Sequence, residues 1–290
     1  MWRSFVVCVL LVSCVVLVAC RPAQEAAGAP GVAIQNVGSD TMVNLALAWA
    51  EAYQARHPDV RIAVTGGGSG TGIAGLINGT VDVANASRRM KPEEVQAAQA
   101  NGIAPVEHVI ARDAIAVVVH PSNPVDNLTL QQLSDIFSGR ITRWPEVGGE
   151  ERPIVLLSRE SNSGTHVYFL EQVVRLGDQN AKTLFSPDTL LMSSSEGISA
   201  EVRQNPNAIG YDGLGYVTAD QKVIAVAAQP GGPFVLPTVE TVNSGAYPIA
   251  RDLYTYTAGE PQGTIAEYLA WILSPEGQAI VGKLGFVPLR

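Results

Sequence analysis

Three times along the chain an apolar, β-branched run gives way to a turn of Gly, Ser, Thr or Asp and then to apolar residues at helical spacing. The first run, residues 32–37, leads through Gly38-Ser39-Asp40-Thr41 to Met42, Leu45, Trp49 and Tyr53, a helix that Pro58 must stop. The second, residues 61–65, leads through a glycine-rich turn at 66–72 into a short helix from Ile73. The third, residues 154–158, leads through Arg159 and Ser163-Gly164-Thr165 into a helix over 166–175. Elsewhere Pro92 suits the first turn of a helix ending near Gly102. The spacings Thr129-x-x-Gln132 and Thr264-x-x-Glu267 predict capping boxes, the first opening a helix that Gly139 closes. Strand and helix alternate over the whole length, which predicts an α/β architecture with mainly parallel sheets.

Each of the three turns sets a strand end against a helix N-terminus, where backbone N–H groups lack intrahelical partners and the helix dipole is positive. Ser and Thr at such places serve as N-caps, and capping suffices to explain any one turn. Three in one chain, with glycines that let a ligand approach the backbone closely, point instead to a bound anion.

The chain begins differently. Arg3 precedes an apolar stretch over 5–18, too short to span a bilayer, and a small residue, Ala19, precedes Cys20. An Ala, Gly, Gln and Glu spacer over 23–30 then reads as a flexible tether. Leu17-Val18-Ala19-Cys20 resembles the lipobox of bacterial lipoproteins, which implies a signal peptide over 1–19, lipid on Cys20, and an anchor with tether over 20–31 on the extracytoplasmic face of the membrane. All three cysteines fall within 1–20, so the rest of the chain can form neither an internal disulfide nor a thiolate metal site.

Composition narrows the classes. At 290 residues, 47% hydrophobic and 16% charged, the chain is globular material for two lobes rather than a disordered, collagenous or polytopic membrane protein. The formal charge of −8 becomes −9 when residues 1–19, with Arg3 as their only charge, are removed. With no basic run anywhere, nucleic acid is excluded as a partner.

Several motifs fail on inspection. Gly70-x-Gly72-x-x-Gly75 has dinucleotide-loop spacing but lies in the second unit rather than the first. Gly277-x-x-x-x-Gly282-Lys283 has phosphate-loop spacing, yet Leu284 stands where a magnesium-binding hydroxyl is needed, and the segment reads as helix. His57, His108, His120 and His166 are scattered, so no metal site and no cofactor are expected. No Gly-x-Ser-x-Gly elbow occurs, which leaves a secreted hydrolase a poor reading.

Taken in order, Gly38-Ser-Asp-Thr-Met42, the segment 67–73, Asp82-Val-Ala-Asn-Ala-Ser-Arg88, the segment 136–144, Ser158-Arg-Glu-Ser-Asn-Ser-Gly-Thr165, Ala208-Ile-Gly-Tyr211, Tyr247-Pro-Ile249 with Leu253-Tyr254, and Gly285-Phe-Val-Pro288 resemble the phosphate-binding lipoproteins of bacterial ABC transporters, a branch of the type II periplasmic binding proteins. The resemblance covers nearly all of the chain beyond the tether. It implies two α/β lobes, 32–113 plus 245–290 and 114–244, closing over a dehydrated oxyanion. It implies a monomer that delivers inorganic phosphate to the permease subunits of the transporter. Carried over residue by residue, it places Ser39, Asp40, Thr41, Ser69, Gly70, Ser87 and Arg88 on one lobe, and Arg159, Ser163, Gly164 and Thr165 on the other. One departure stands out: the family has an aspartate, acceptor of the phosphate proton, where this chain has Arg88. Asp40 is a candidate substitute, acceptor and cation having exchanged places; the alternative reading has Asp40 as an N-cap and Arg88 as a surface ion-pair partner. Open alternatives are a receptor for sulfate or molybdate and a phosphate sensor.

Overall fold

The computed structural model describes residues 31–289; the leader, Cys20 and most of the tether lie outside the described residues. The first half runs β1 (Val32–Gly38), α1 (Val43–Gln54), β2 (Val60–Thr65), α2 (Ser69–Ile77), β3 (Val83–Ala86), α3 (Pro92–Ala100) and β4 (Val106–Val119), then β5 (Asn127–Thr129) and α4 (Leu130–Phe137). After these come β6 (Val155–Arg159), α5 (Gly164–Phe169), β7 (Leu190–Met192), α6 (Ser195–Gln204), β8 (Ala208–Gly213), β9 (Lys222–Val223), β10 (Ala225–Ala227) and α7 (Val239–Asn243). The chain ends through β11 (Ala250–Thr257), α8 (Gly263–Ile272) and α9 (Pro275–Lys283).

One sheet of order β2-β1-β3-β11-β4-β8-β6-β7 carries the architecture. Its flanks are parallel, β1 with β2 and β3 on one side and β6 with β7 and β8 on the other. Its centre is antiparallel, because β11 and β4 run against their neighbours. Parallel pairing prevails away from that centre, in both flanks and between β5 and β10, as expected of mainly parallel sheets. The elements and strand order make a mixed α/β fold, with helices packed about one long sheet.

The long strand β4 joins the two halves of the sheet. Residues up to Ala114 pair with β11, and from Ile115 onward the same strand pairs with β8. A continuous run of buried residues makes this possible, since Ala114 to Val119 are shielded on both faces. Two large apolar cores flank the junction. One packs Leu45, Trp49 and Tyr53 of α1 against Tyr268, Leu269 and Ile272 of α8. The other packs Phe137, Phe169 and Tyr211, with the last two rings stacked 3.6 Å apart.

Local expectations fare unevenly. Pro92 opens α3, and Thr129 caps α4 by accepting from Gln132 N at 3.1 Å while the Thr129 N–H donates to Gln132 Oε1 at 2.9 Å. Thr264 caps nothing: Gln262 is the N-cap of α8, which places Thr264 inside the first turn. The second helix starts at Ser69 rather than Ile73, because the polar and glycine residues 69–72 already adopt helical geometry. The third continues past Phe169 as a π turn over Leu170–Val174. The segment with phosphate-loop spacing is helical, as read.

Candidate functional site

The three turns meet at one place. Gly38 ends β1, and Ser39 N donates to Asn85 O at 2.8 Å, which ties the first turn to β3 and buries Ser39 and Thr41. Ser87 follows directly on β3, and its N–H donates to Ser69 Oγ at the start of α2 (3.0 Å), with the two hydroxyls 3.3 Å apart. From the other lobe, Ser163 caps α5 by accepting from Thr165 N at 3.2 Å. Thr165 Oγ1 lies 2.7 Å from Thr41 Oγ1, so the hydroxyls of the two lobes touch.

Gly164 is the closest approach. A Cβ there would stand 2.4 Å from Ser69 Oγ and 2.6 Å from Ser87 Oγ, so only glycine lets the α5 N-terminus come this near. The glycine-rich turn does the same work beside it. A Cβ on Gly68 would stand 2.8 Å from Asn162 O. Gly70 N donates to that carbonyl at 3.0 Å, and Asn162 Nδ2 donates to Gly67 O at 2.7 Å. The amide of Gly70, expected to face an anion, is thus committed to joining the lobes.

Arg159 ends β6 as a fully buried cation. Its Nε donates to Met192 O (3.2 Å), Nη2 to Ser193 O (2.9 Å) and Nη1 to Ser195 Oγ (2.9 Å), and Nη2 lies 3.0 Å from Asp40 Oδ2 on the opposite lobe. A guanidinium has five N–H groups; three are hydrogen-bonded here, Nη2 is also ion-paired with Asp40, and Nη1 keeps one for a further acceptor. Asp40 Oδ2 also accepts from Ser195 N at 3.0 Å. This carboxylate is therefore a partner of Arg159 across the cleft, a different place from the proton acceptor expected of it.

Arg88 has its terminal nitrogens engaged elsewhere, and only its buried Nε is without a partner. Both terminal nitrogens bond Glu94 at 2.7 Å, and Nη1 also donates to Arg89 O at 2.9 Å. Those bonds and the Lys91 N–H hold the Glu94 carboxyl below the usual range against the opposing effect of its own burial. Of the expected residues, the structure gathers Ser39, Thr41, Ser69, Ser87, Arg159, Ser163, Gly164 and Thr165, places Asp40 as an ion-pair partner, and turns Arg88 and Gly70 N elsewhere.

Four residues of this neighbourhood were not expected. Asp113 and Arg251 are direct cross-strand partners on β4 and β11 and form a buried ion pair at 2.9 Å. Ser195 joins Arg159 and Asp40, as described. Asp212 is completely buried, with Oδ1 accepting from Gly213 N at 2.8 Å and no partner of hydrogen-bond geometry on Oδ2. Asp113, Arg251 and Asp212 carry one common signal, an ionisable side chain inside an apolar strand. His166 lies apart, its Nδ1 on Ser158 Oγ at 3.0 Å, and burial lowers its pKa.

Burial raises the Asp212 pKa to about 7, against the opposing pull of the Ser195 hydroxyl and the Arg159 charge. The folded protein then holds a proton that the unfolded chain has released, so this group's stabilisation is complete below pH 4 and is lost as pH rises to about 7. Asp212→Asn, which mimics the protonated form, is expected to remove that slope. Thermal midpoints of the two proteins should diverge between pH 4 and 7, in favour of the variant, and run parallel above. Parallel curves throughout would contradict the assignment.

Comparison with known proteins gives a consistent picture. A family model described as a PBP superfamily domain matches residues 24–276. The phosphate-binding protein PstS of Pseudomonas aeruginosa is 36% identical over 283 residues, covering 92% of this chain and 85% of that one. PstS of Bacillus subtilis is 32% identical, covering 87% and 79%. Among solved structures, a substrate-binding protein from Clostridium perfringens with bound phosphate superposes with a TM-score of 0.78 at 33% identity, covering 89% of this chain and all of that one. An ABC-type phosphate transport receptor from Vibrio cholerae gives 0.70 at 28% identity, covering 88% and 99%.

Proposed function

The chain belongs to the PBP superfamily and, within it, to the PstS phosphate-binding proteins, and from that premise we propose that it captures inorganic phosphate between its lobes and delivers it to the permease subunits of an ABC transporter for import. It is a binding protein and not an enzyme. The observation that carries this reading is the meeting of the Ser163-Gly164-Thr165 helix start with Ser69 and Ser87, beside a buried Arg159 that keeps one N–H for a further acceptor. Such a group is made of donors, and an oxyanion is made of acceptors.

Magnitudes agree with the proposal. Hydrogen bonds to a charged group contribute about 1.5–3 kcal/mol each, so roughly eight of them offset the desolvation of a divalent anion and leave micromolar or tighter affinity. The acidic net charge is no obstacle, because at ~0.15 M salt distant charges are screened within about 8 Å while the donors in contact are not. In our reading the ligand set is Ser39, Thr41, Ser69, Ser87, Arg159, Ser163 and the Gly164 amide, with Thr165 behind Thr41. Asp40 holds Arg159 in place, and Arg88 fixes the turn after Ser87 through Glu94. Binding favours the closed form by its differential affinity, and that form is what the permease would recognise.

The remaining parts of the proposal follow the sequence. Cys20 carries lipid that anchors a monomer to the extracytoplasmic face of the membrane, with residues 1–19 removed as a signal peptide. The lobes are 32–113 plus 245–290 and 114–244, and the change of β4 partner between Ala114 and Ile115 supports the first crossing. Calorimetric titration of the unfolded and refolded protein with phosphate, sulfate and molybdate tests the ligand. Micromolar or tighter binding of phosphate alone is expected; preference for sulfate or molybdate would replace phosphate with another oxyanion.

A further inference from the structure

Arg251 lies in no turn, yet it touches both lobes at the centre of the group. Its Nη1 donates to Ser87 O at 2.9 Å, its Nη2 donates to Thr165 Oγ1 at 2.9 Å, and Nη2 and Nε both reach Asp113 Oδ2, at 2.9 and 3.3 Å. The guanidinium also lies over the Tyr168 ring, 5.6 Å from its centroid. Asp113 is held in turn, its Oδ1 accepting from Leu214 N at 3.1 Å. The orientation of this side chain is thus set from four sides, and both ends of its ion pair are buried.

We propose that Arg251 is a positioning residue that fixes the hydrogen-bond polarity of the hydroxyls around the ligand, so that Thr41 and Ser69 present protons rather than lone pairs. The inference rests on the phosphate reading and deepens it. A guanidinium only donates, whereas a hydroxyl has one proton and two lone pairs. Thr165 Oγ1 accepts from Arg251, and in the proposed polarity its one proton goes to Thr41 Oγ1, 2.7 Å away. Thr41, now an acceptor, has its own proton to give to an anion oxygen. The second arm acts through the backbone: Arg251 pins the Ser87 carbonyl, the Ser87 N–H donates to Ser69 Oγ at 3.0 Å, and Ser69 likewise keeps a proton to give. A chain of oriented hydroxyls of this kind is cooperative, each bond polarising the next.

This role is distinct from that of a countercharge. Arg251 and Asp113 together add no net charge to the site, so their effect on an anion comes from direction. Removing Arg251 alone would strand a buried carboxylate. The test therefore removes both charges, in the double variant Asp113→Asn with Arg251→Met.

Phosphate affinity is read by calorimetry for the wild type, this double variant, Thr165→Val, Thr165→Ser and the triple variant combining the double with Thr165→Val. The double variant and Thr165→Val are each expected to lose at least tenfold in affinity, and Thr165→Ser, which restores the hydroxyl, recovers most of the Thr165→Val loss. Because Arg251 acts through Thr165, the triple variant should lose clearly less than the product of the two separate losses. A double variant that binds like wild type, or losses that multiply in the triple variant, would overturn the inference while leaving phosphate binding intact. A wild-type protein that takes up no phosphate would overturn the functional reading and this inference with it.

Discussion

Arg159→Met is expected to weaken phosphate binding by about 3–5 kcal/mol, two to more than three powers of ten, with the fold retained. The size follows from what the guanidinium holds together. It bonds two backbone carbonyls and the Ser195 hydroxyl within its own lobe and meets the Asp40 carboxylate of the other. Methionine fills much of the same space but leaves Asp40 facing an incoming dianion with no cation between them. The loss therefore combines a missing donor with a new repulsion, and it exceeds what one neutral hydrogen bond contributes. Titration of the variant with phosphate, beside its thermal midpoint without ligand, reads the two effects separately. A loss below about 1 kcal/mol would contradict the role given to Arg159.

The second large effect concerns shape rather than charge. Gly164→Ala is expected to cost about 2–3 kcal/mol of phosphate affinity, the scale of overpacking a tight contact. The added methyl would sit 2.4 Å from Ser69 Oγ, 2.6 Å from Ser87 Oγ and 3.1 Å from Ser69 Cβ, all on the opposite lobe. Both hydroxyls would have to move from positions we assign to the ligand. Within its own lobe the change is benign, since Gly164 opens a helix in which alanine is the better former. Affinity should thus fall while the ligand-free thermal midpoint changes little. A variant that binds as well as wild type would contradict the closed contact described here.

How much of this was written locally in the chain can be argued from particular residues. Ser39, Thr41, Ser69 and Ser163 were legible because strand ends, glycines and hydroxyls stand side by side in sequence, and local geometry alone turns such segments into helix starts. Arg251 and Asp113 were not. They lie 138 positions apart and meet only through the register of β4 and β11, which no local pattern encodes. Asp212 and Ser195 depend in the same way on how β8 and α6 pack behind Arg159.

Two local readings turn on near neighbours. Arg88 follows Ser87 in the candidate site, and Glu94, six residues on in the first turn of α3, takes its terminal nitrogens while Nε stays unpartnered. Thr264 had the spacing of a cap, but the helix begins before it. In both cases a neighbour a few residues away decides which local interaction forms. The antiparallel centre of the sheet was likewise hidden, because an apolar run such as that ending β4 reads the same whichever way its partners point.

The most direct test of the account is a crystal structure of the protein grown with phosphate. We predict a tetrahedral anion between the lobes, within hydrogen-bond distance of Thr41, Ser69, Ser163, the Gly164 amide and Arg159 Nη1. Arg251 should stay on Asp113 and out of contact with the ligand. Phosphate lodged instead in the cavity of about 420 Å³ lined by Arg88, Arg89, Lys91 and Tyr254 would contradict it.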